Sequence, residues 1–170
     1  MQEWIIIASA DNNWGIGYKN RLLARVPEDM KSVSEKTKGK VIVMGRKTLE
    51  SFPSGKPLPD RLNVVLTRDI NYSAEGALIV HSIEELMEAL RDYQGEIYVF
   101  GGGSIYMQLM PYCLRAYITR LQHEFPADTY LPCFDNLNEW ELVYSSDWKT
   151  SKTGICYKFT EYKRVQNANK

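Results

Sequence analysis

The chain has 170 residues, 44% apolar and 25% charged, with Lys+Arg and Asp+Glu at 21 each. That length suits one domain with a real core, and a net charge of zero leaves no basic excess for general nucleic-acid or membrane-surface binding. No apolar stretch approaches the roughly 18 residues of a membrane span, and Trp4-Ile5-Ile6-Ile7-Ala8 is too short for a signal peptide's apolar core.

Residues 4–10 form a near-continuous apolar run, the mark of a strand covered on both faces. Residues 11–26 are turn-rich and read as a long irregular loop, a common place for function. Pro27 suits the first position of a helix over 27–37, with Glu28 and Asp29 in the first turn, where acids favour the dipole. Val26, Met30, Val33 and Thr37 trace one face of that helix. Asp29 lies four residues before Val33 and borders this face, whereas Glu28 groups with Lys31, Ser32 and Glu35 on a solvated side. Asp29 is therefore the carboxylate expected to look into the core or a cleft.

A strand over 41–44 hands over at Gly45-Arg46-Lys47-Thr48 to a short helix reaching about Phe52. Residues 53–59 hold three prolines and read as a stiff loop. Residues 62–67 are a further strand ending at Arg68, and Ile79-Val80 a short one. Ser82 caps the next helix with Glu85 three residues on, followed by Ile83, Leu86, Met87 and Leu90 at helical spacing. Residues 96–100 form a buried strand, then Gly101-Gly102-Gly103-Ser104 opens a helix that ends at Pro111. Such a junction allows close backbone approach and offers free N–H groups to an anion, although a tight turn explains it equally well. The dinucleotide pattern G-x-G-x-x-G is not matched, because position 106 is Tyr.

After Pro111 the pattern changes to strands over 115–121, 140–145 and 155–162, the last two forming an antiparallel hairpin at a sheet edge through a polar turn at 149–154. Residues 166–170 are a polar tail. The expected architecture is α/β: a single domain over 1–163, a mixed, mostly parallel eight-stranded sheet with helices on both faces and a C-terminal antiparallel hairpin, then a tail over 164–170. Cys113, Cys133 and Cys156 are odd in number without metal-ligand spacing, and His81 and His123 stand far apart. No metal site is expected, and the thiols fit reduced residues of a cytoplasmic protein.

In such a sheet ligands bind beyond the carboxyl ends of the strands. Gly45-Arg46-Lys47-Thr48, Thr67-Arg68 and Gly101-Gly102-Gly103 all fall there. Two helix starts and three cations suit a ligand with several phosphates, and the surplus charge suits the extra 2′-phosphate of NADP. A single buried carboxylate nearby suggests reduction of a heterocycle whose N–H groups it can pair.

The chain resembles dihydrofolate reductases of the bacterial chromosomal type. The matching motifs run in order as Ile7-Ala8, Gly15-Ile16-Gly17, Pro27-Glu28-Asp29-Met30, Val43-Met44-Gly45-Arg46-Lys47-Thr48, Pro57-Leu58-Pro59-Asp60-Arg61, Asn63-Val64-Val65-Leu66-Thr67-Arg68, Phe100 to Tyr106, Tyr117-Ile118-Thr119 and Ala127-Asp128-Thr129-Tyr130-Leu131-Pro132. The resemblance implies NADPH-dependent reduction of 7,8-dihydrofolate to tetrahydrofolate. It implies that Asp29 is the acidic active-site residue, pairing with the pterin and supported by Thr119. Arg61 is implied to grip the glutamate tail's α-carboxylate. Met30, Val33, Phe52 and Leu58 would line the pterin and aminobenzoyl pocket, with Ile7, Ala8 and Phe100 at the floor shared with nicotinamide. Ile16, Gly45, Arg46, Lys47, Thr48, Leu66, Thr67 and Arg68 would contact the cofactor, with Gly101, Gly102, Gly103, Ser104, Ile105 and Tyr106 on its pyrophosphate side. Tyr106 would border the ribose. A cis peptide at Gly102-Gly103 and a mobile loop over about 11–26 are also implied, as are antifolates as possible ligands and a monomeric state.

Two positions depart from the family pattern. Ala24 and Val33 stand where Trp and Phe are usual, which implies a changed water site near the pterin and a thinner aminobenzoyl wall. The related reductase of riboflavin biosynthesis is disfavoured by the Asp29 and Arg61 pairing. A catalytically dead nucleotide- or folate-binding protein is the remaining alternative, suggested by Ala24 alone.

Overall fold

The computed structural model describes residues 1–166. In chain order it contains β1 (Gln2–Ala10), β2 (Gly15–Gly17), α1 (Pro27–Thr37), β3 (Val41–Gly45), α2 (Arg46–Glu50), β4 (Leu62–Leu66), β5 (Ala77–Val80), α3 (Ile83–Ala89), β6 (Gly95–Gly101), α4 (Gly103–Leu109), β7 (Cys113–Leu121), β8 (Thr129–Tyr130), β9 (Trp140–Ser145), β10 (Lys149–Thr150) and β11 (Cys156–Arg164).

The main sheet runs β10-β11-β7-β1-β6-β3-β4-β5, with β9 also on β11. Because β7 occupies one edge of β11, β9 and β10 share the other as one interrupted strand. Nine segments therefore make eight ranks, and all pairs from β7 to β5 are parallel. The apolar run of β1 sits near the middle, where Ile5 and Ile6 are both fully buried on opposite faces. On one face Leu86, Leu90, Ile105 and Leu109 of the α3 and α4 regions pack with Ile6, Val43 and Val99. On the other, Leu49, Val33 and Phe52 pack with Ile5, Ile7, Ile42 and Met44. Helices on both faces and the C-terminal antiparallel pairing match the expected architecture. Residues 167–170, the end of the expected tail, lie outside the described residues. Arg164 still belongs to β11, where its guanidinium reaches the carbonyls of Cys113 (2.8 Å) and Met110 (2.7 Å).

Local signals explain most boundaries. Ser82 Oγ accepts the Glu85 N–H at 3.0 Å, as expected of an N-cap. The Glu85 carboxylate turns back one residue further than a capping box requires, to the His81 N–H at 2.7 Å. Val26 gives α1 no side-chain cap, so Pro27 and the acids carry that start. Glu28 is not the free surface acid expected: it accepts from Ser151 Oγ (2.6 Å) and the Lys152 N–H (3.0 Å). Those bonds, led by the Ser151 hydroxyl, hold its carboxyl below the ordinary carboxylate range and tie α1 to the β10–β11 turn.

The loop after β1 is more ordered than its turn-rich sequence suggests. Asp11, almost fully buried, accepts the Gly15 N–H (2.8 Å), the Asn13 N–H (2.9 Å) and the Phe125 N–H (2.9 Å). β2 then pairs with β8, and Asp128 accepts the Lys19 N–H at 2.9 Å. Only the arm over 18–25 remains largely exposed.

The glycine run has a different physical cause at each position. Gly101 has φ +101°, and a Cβ there would lie 2.5 Å from the Tyr106 ring. A Cβ on Gly103 would meet the Thr129 methyl at 2.7 Å, while one on Gly102 would meet nothing closer than Thr48 Oγ at 3.9 Å. Two of the three glycines thus serve packing within the chain, and Gly102 alone leaves room above it. The cis peptide lies at Gly101–Gly102, one residue earlier than the family resemblance implies. β6 ends at Gly101 and Gly102 caps α4, so the turn between them falls at that bond. Gly101→Ala is expected to destabilise the fold by about 2 kcal/mol or more through strain and the ring clash, whereas Gly102→Ala changes it much less. Urea titration of both variants checks this ordering, and equal losses would refute it.

Candidate active site

At 100° per residue, α1 has two flanks on either side of the stripe that meets the sheet. Val26, Val33 and Thr37 form the stripe. Asp29, Ser32 and Lys36 lie on one flank, and Met30 and Ser34 on the other. Val26, Met30, Val33 and Thr37 fall within about 60° of one another, as expected of one face, with Met30 at its open edge. Met30 falls off the sheet side and is 47% exposed.

Asp29 is fastened across to the sheet. Thr119 on β7 donates its hydroxyl to Asp29 Oδ1 at 2.6 Å. The residue is half-buried, and burial pushes its carboxyl above the ordinary range, against the hydroxyl of Thr119 and the charge of Lys36. Ile7 of β1 adjoins it, because β1 runs parallel to β7 and pairs Ser9 with Thr119. The result is a carboxylate with one fixed donor, spare acceptor capacity and a raised affinity for a proton.

An apolar wall stands beside it. Val33, Phe52, Leu58 and Phe100 pack around Ile7, Ile5 and Met44, with the rings of Phe52 and Phe100 edge to face at 6.3 Å. Ala8 is half-buried and packs against the core of the other face. The structure therefore gathers Ile7, Val33, Phe52, Leu58, Phe100, Asp29 and Thr119.

Arg61 is committed to α1 to a degree the sequence did not suggest. Its Nε donates to Thr37 Oγ1 (2.8 Å), one terminal nitrogen to the Pro59 carbonyl (2.5 Å), and the other to the Ser34 carbonyl (2.8 Å) and hydroxyl (2.9 Å). The guanidinium is thereby oriented on the Met30 flank, with little donor capacity left over.

The strand ends converge as expected. Gly45 opens α2 beside Gly102, which opens α4; a Cβ on Gly45 would lie 3.1 Å from Ile105 and 3.9 Å from the Gly101 carbonyl. Arg46, 3.9 Å from Glu50, and Lys47 project from α2. Thr67 and Arg68 follow β4 next to Leu66. Among the described residues Lys47 and Arg68 have no carboxylate within 4.0 Å. Ser104 bonds Gln108 on α4 at 2.9 Å. The arm at 19–21 faces Lys47 and Ser51 across a cavity of about 390 Å³.

Two expected cofactor contacts are placed differently. Ile16 is buried in the core beside β8. Tyr106 is buried too: its hydroxyl lies 2.8 Å from the carbonyls of both Ile7 and Phe100 and donates to one or the other. It props the glycine run from beneath instead of bordering a ribose, because the missing side chain at Gly101 makes space for its ring.

Residues overlooked in the sequence are also present. His81 Nδ1 lies 2.9 Å from the Thr67 carbonyl at the cationic junction. Tyr117, Tyr144 and Phe159 line a cavity of about 320 Å³ on the Asp29 flank of α1. The period-two relation of Tyr117 to Thr119 could have revealed the former.

Cations and glycine-opened helix starts at the strand ends, beside a carboxylate of raised proton affinity, are an arrangement suited to a nucleotide-dependent reductase. The dihydrofolate reductase family model matches residues 3–164. A dihydrofolate reductase of Staphylococcus haemolyticus is 36% identical over 162 residues, covering 95% of each chain, and that of Bacillus subtilis is 36% identical over 163 residues with the same coverage. A solved dihydrofolate reductase from Enterococcus faecalis, complexed with NADP(H) and RAB-propyl, superposes with a TM-score of 0.87 at 31% identity, over 96% of this chain and 97% of the other. The chain belongs to the dihydrofolate reductase family.

The raised carboxyl of Asp29 has a consequence for stability. A group whose folded affinity for protons exceeds its unfolded one contributes most at pH below its unfolded value, and that contribution is lost as pH rises through its folded value. Asp29→Asn should therefore raise Tm at neutral pH and lose the advantage toward pH 3, the gain being about 2–4 °C per kcal/mol relieved in a chain of this size. Calorimetry across that range checks it; an advantage that grows on acidification would contradict the assignment.

Proposed function

We propose that the chain reduces 7,8-dihydrofolate to tetrahydrofolate with NADPH, and that Asp29 is its acidic catalytic residue. The observation that carries this reading is the Thr119–Asp29 bond at 2.6 Å beside the wall of Ile7, Val33, Phe52 and Phe100. Thr119 uses one acceptor position of Oδ1, so the remaining lone pairs can take the adjacent N–H groups of a pterin as a fork.

The cofactor fits the strand-end cradle on the chain's own chemistry. Gly102 presents an uncovered backbone, Arg46, Lys47 and Arg68 supply positive charge, and Thr48 and Thr67 supply hydroxyls. NADPH, when bound, supplies the hydride. The residues around it do the rest. The apolar wall orients the two rings, and the arm over 18–25 excludes water on closing. Asp29, with its raised proton affinity, stabilises the protonated form of the substrate's N5 and so makes the neighbouring carbon a better acceptor. Turnover should fall as pH rises through the titration of the bound site. Arg61, oriented by Ser34, Thr37 and Pro59, is placed to meet the glutamate α-carboxylate through its remaining N–H and long-range charge.

Residues 1–163 act in this reading as one domain, a monomer in the cytoplasm. The single main sheet and the family match over 3–164 support the domain assignment. No described helix is long and apolar enough to cross a membrane.

The direct test follows NADPH oxidation by absorbance with dihydrofolate present. Asp29→Asn should retain the fold and lose about 100-fold or more in rate at neutral pH, with partial recovery in acid as solution protonates the substrate. A rate near that of the parent at neutral pH would remove Asp29 from this role. Val33→Phe should restore aromatic contact and tighten dihydrofolate or antifolate binding by about 1 kcal/mol, roughly fivefold. Fluorescence titration measures it, and no gain in a folded variant counts against the thinner-wall account.

A further inference from the structure

The cavity on the Asp29 flank of α1 lies on the opposite side of the helix from Met30, Ser34 and Arg61. Its lining includes Asp29, Ser32, Lys36, Tyr117, Tyr144 and Glu161, and it shares Ile7, Val33 and Thr119 with the apolar wall. Lys36 is seven residues after Asp29, or 20° short of two full turns, so both point from the same flank. A long helical side chain leans back toward the N-terminus, and Lys36 does so here: Nζ lies 3.2 Å from Ser32 Oγ, one turn nearer to Asp29. The same Nζ stands 5.1 Å from the centre of the Tyr117 ring, whose strand carries Thr119 two residues later. Two contacts therefore hold the ammonium at the inner part of the cavity.

The other charges around this space are already matched. Glu161 on β11 lies 3.7 Å from Arg115, which also meets Glu3 at 2.5 Å and donates to the Tyr117 hydroxyl at 2.6 Å. Glu28, on α1, is bonded into the turn at Ser151 and Lys152. Tyr144 on β9, Tyr157 on β11 and Tyr106 on α4 complete the titratable groups around Asp29. Burial holds the phenols of Tyr106 and Tyr157 above their ordinary range, so both stay neutral when Asp29 titrates. Lys36 is the cation left to act on Asp29.

We propose that Lys36 is a positioning residue of this active site: fixed by Ser32 and Tyr117, its ammonium sets the charge balance of Asp29 from behind the helix. The inference rests on the catalytic reading of Asp29. Its physical content is that a cation fixed on one flank of a carboxylate favours the ionised form of that carboxylate through space, while the opposite flank stays free for a ligand. Lys36 opposes the effect of burial and so favours the ionised Asp29 that can hold the pterin N–H groups. Its removal shifts Asp29 toward the protonated form.

The test uses the full chain with Lys36→Met, Lys36→Arg and Ser32→Ala. Carbon-13 NMR follows the Asp29 carboxyl through a pH titration, and rapid mixing follows hydride transfer against pH. Lys36→Met should move both the titration and the alkaline limb to higher pH, so that one or two units past the parent midpoint it retains about threefold more of its plateau rate. Lys36→Arg should stay close to the parent, and Ser32→Ala, which frees the ammonium, should move in the direction of Lys36→Met by less. An Asp29 titration unchanged in folded Lys36→Met overturns the proposal. If Lys36→Met does not fold, an unchanged titration in Ser32→Ala overturns it instead. The NMR readout needs no turnover, so failure here is distinct from failure of the catalytic reading, which Asp29→Asn decides.

Discussion

The hydrogen bond from Thr119 to Asp29 joins a helix to a strand at the one place where charge must be tolerated inside an apolar wall. A carboxylate in such surroundings is costly unless donors meet it. Only one is built in here, which leaves Asp29 able to accept a ligand's N–H groups and to hold a proton more strongly than usual. The topology follows this need closely. β1 and β7 must lie side by side for Ile7 and Thr119 to flank the same acid, and their parallel pairing, with Ser9 opposite Thr119, provides that.

The antiparallel addition of β11, β9 and β10 beyond β7 gives the helix a second support. Glu28 and Asp29 are neighbours in sequence with opposite fates. Glu28 points to the β10–β11 turn, where the Ser151 hydroxyl and the Lys152 N–H keep its proton affinity low. Asp29 points inward, where burial raises it. Both occupy the first turn of α1, where the helix dipole favours the charged form of each. The dipole therefore cannot explain the difference; desolvation and the number of local donors decide it.

Much of this was legible in the residues. Alternating strands and helices, Pro27 at a helix start, Ser82 at another and the placing of Asp29 on a border of α1 all carry local physical signals, and the structure bears them out. Tertiary packing overrode three readings. Glu28, on the side of α1 that reads as solvated, is bonded into the β10–β11 turn by Ser151 and Lys152. Loop residues 11–17 are anchored by the buried Asp11, which accepts the Phe125 N–H, and by the pairing of β2 with β8, both partners being more than a hundred residues away in sequence. Tyr106 turns under the glycines to the carbonyls of Ile7 and Phe100, a contact that no spacing rule could announce.

The glycine run shows why composition alone was ambiguous between turn and anion seat. The packing reading holds at two of the three residues, and the third is left uncovered. Gly101 must lack a side chain for Tyr106 to fit, and Gly103 for Thr129 to fit. Tyr106 in turn reaches the carbonyls at the end of β6 and in β1, so the same packing fixes the floor beside Asp29. Gly102 then stands uncovered between two helix starts as a consequence of its neighbours' constraints. The proposed cofactor cradle and the proposed floor of the substrate cleft are thus shaped by one tyrosine, and a change at Gly101 should be felt in both.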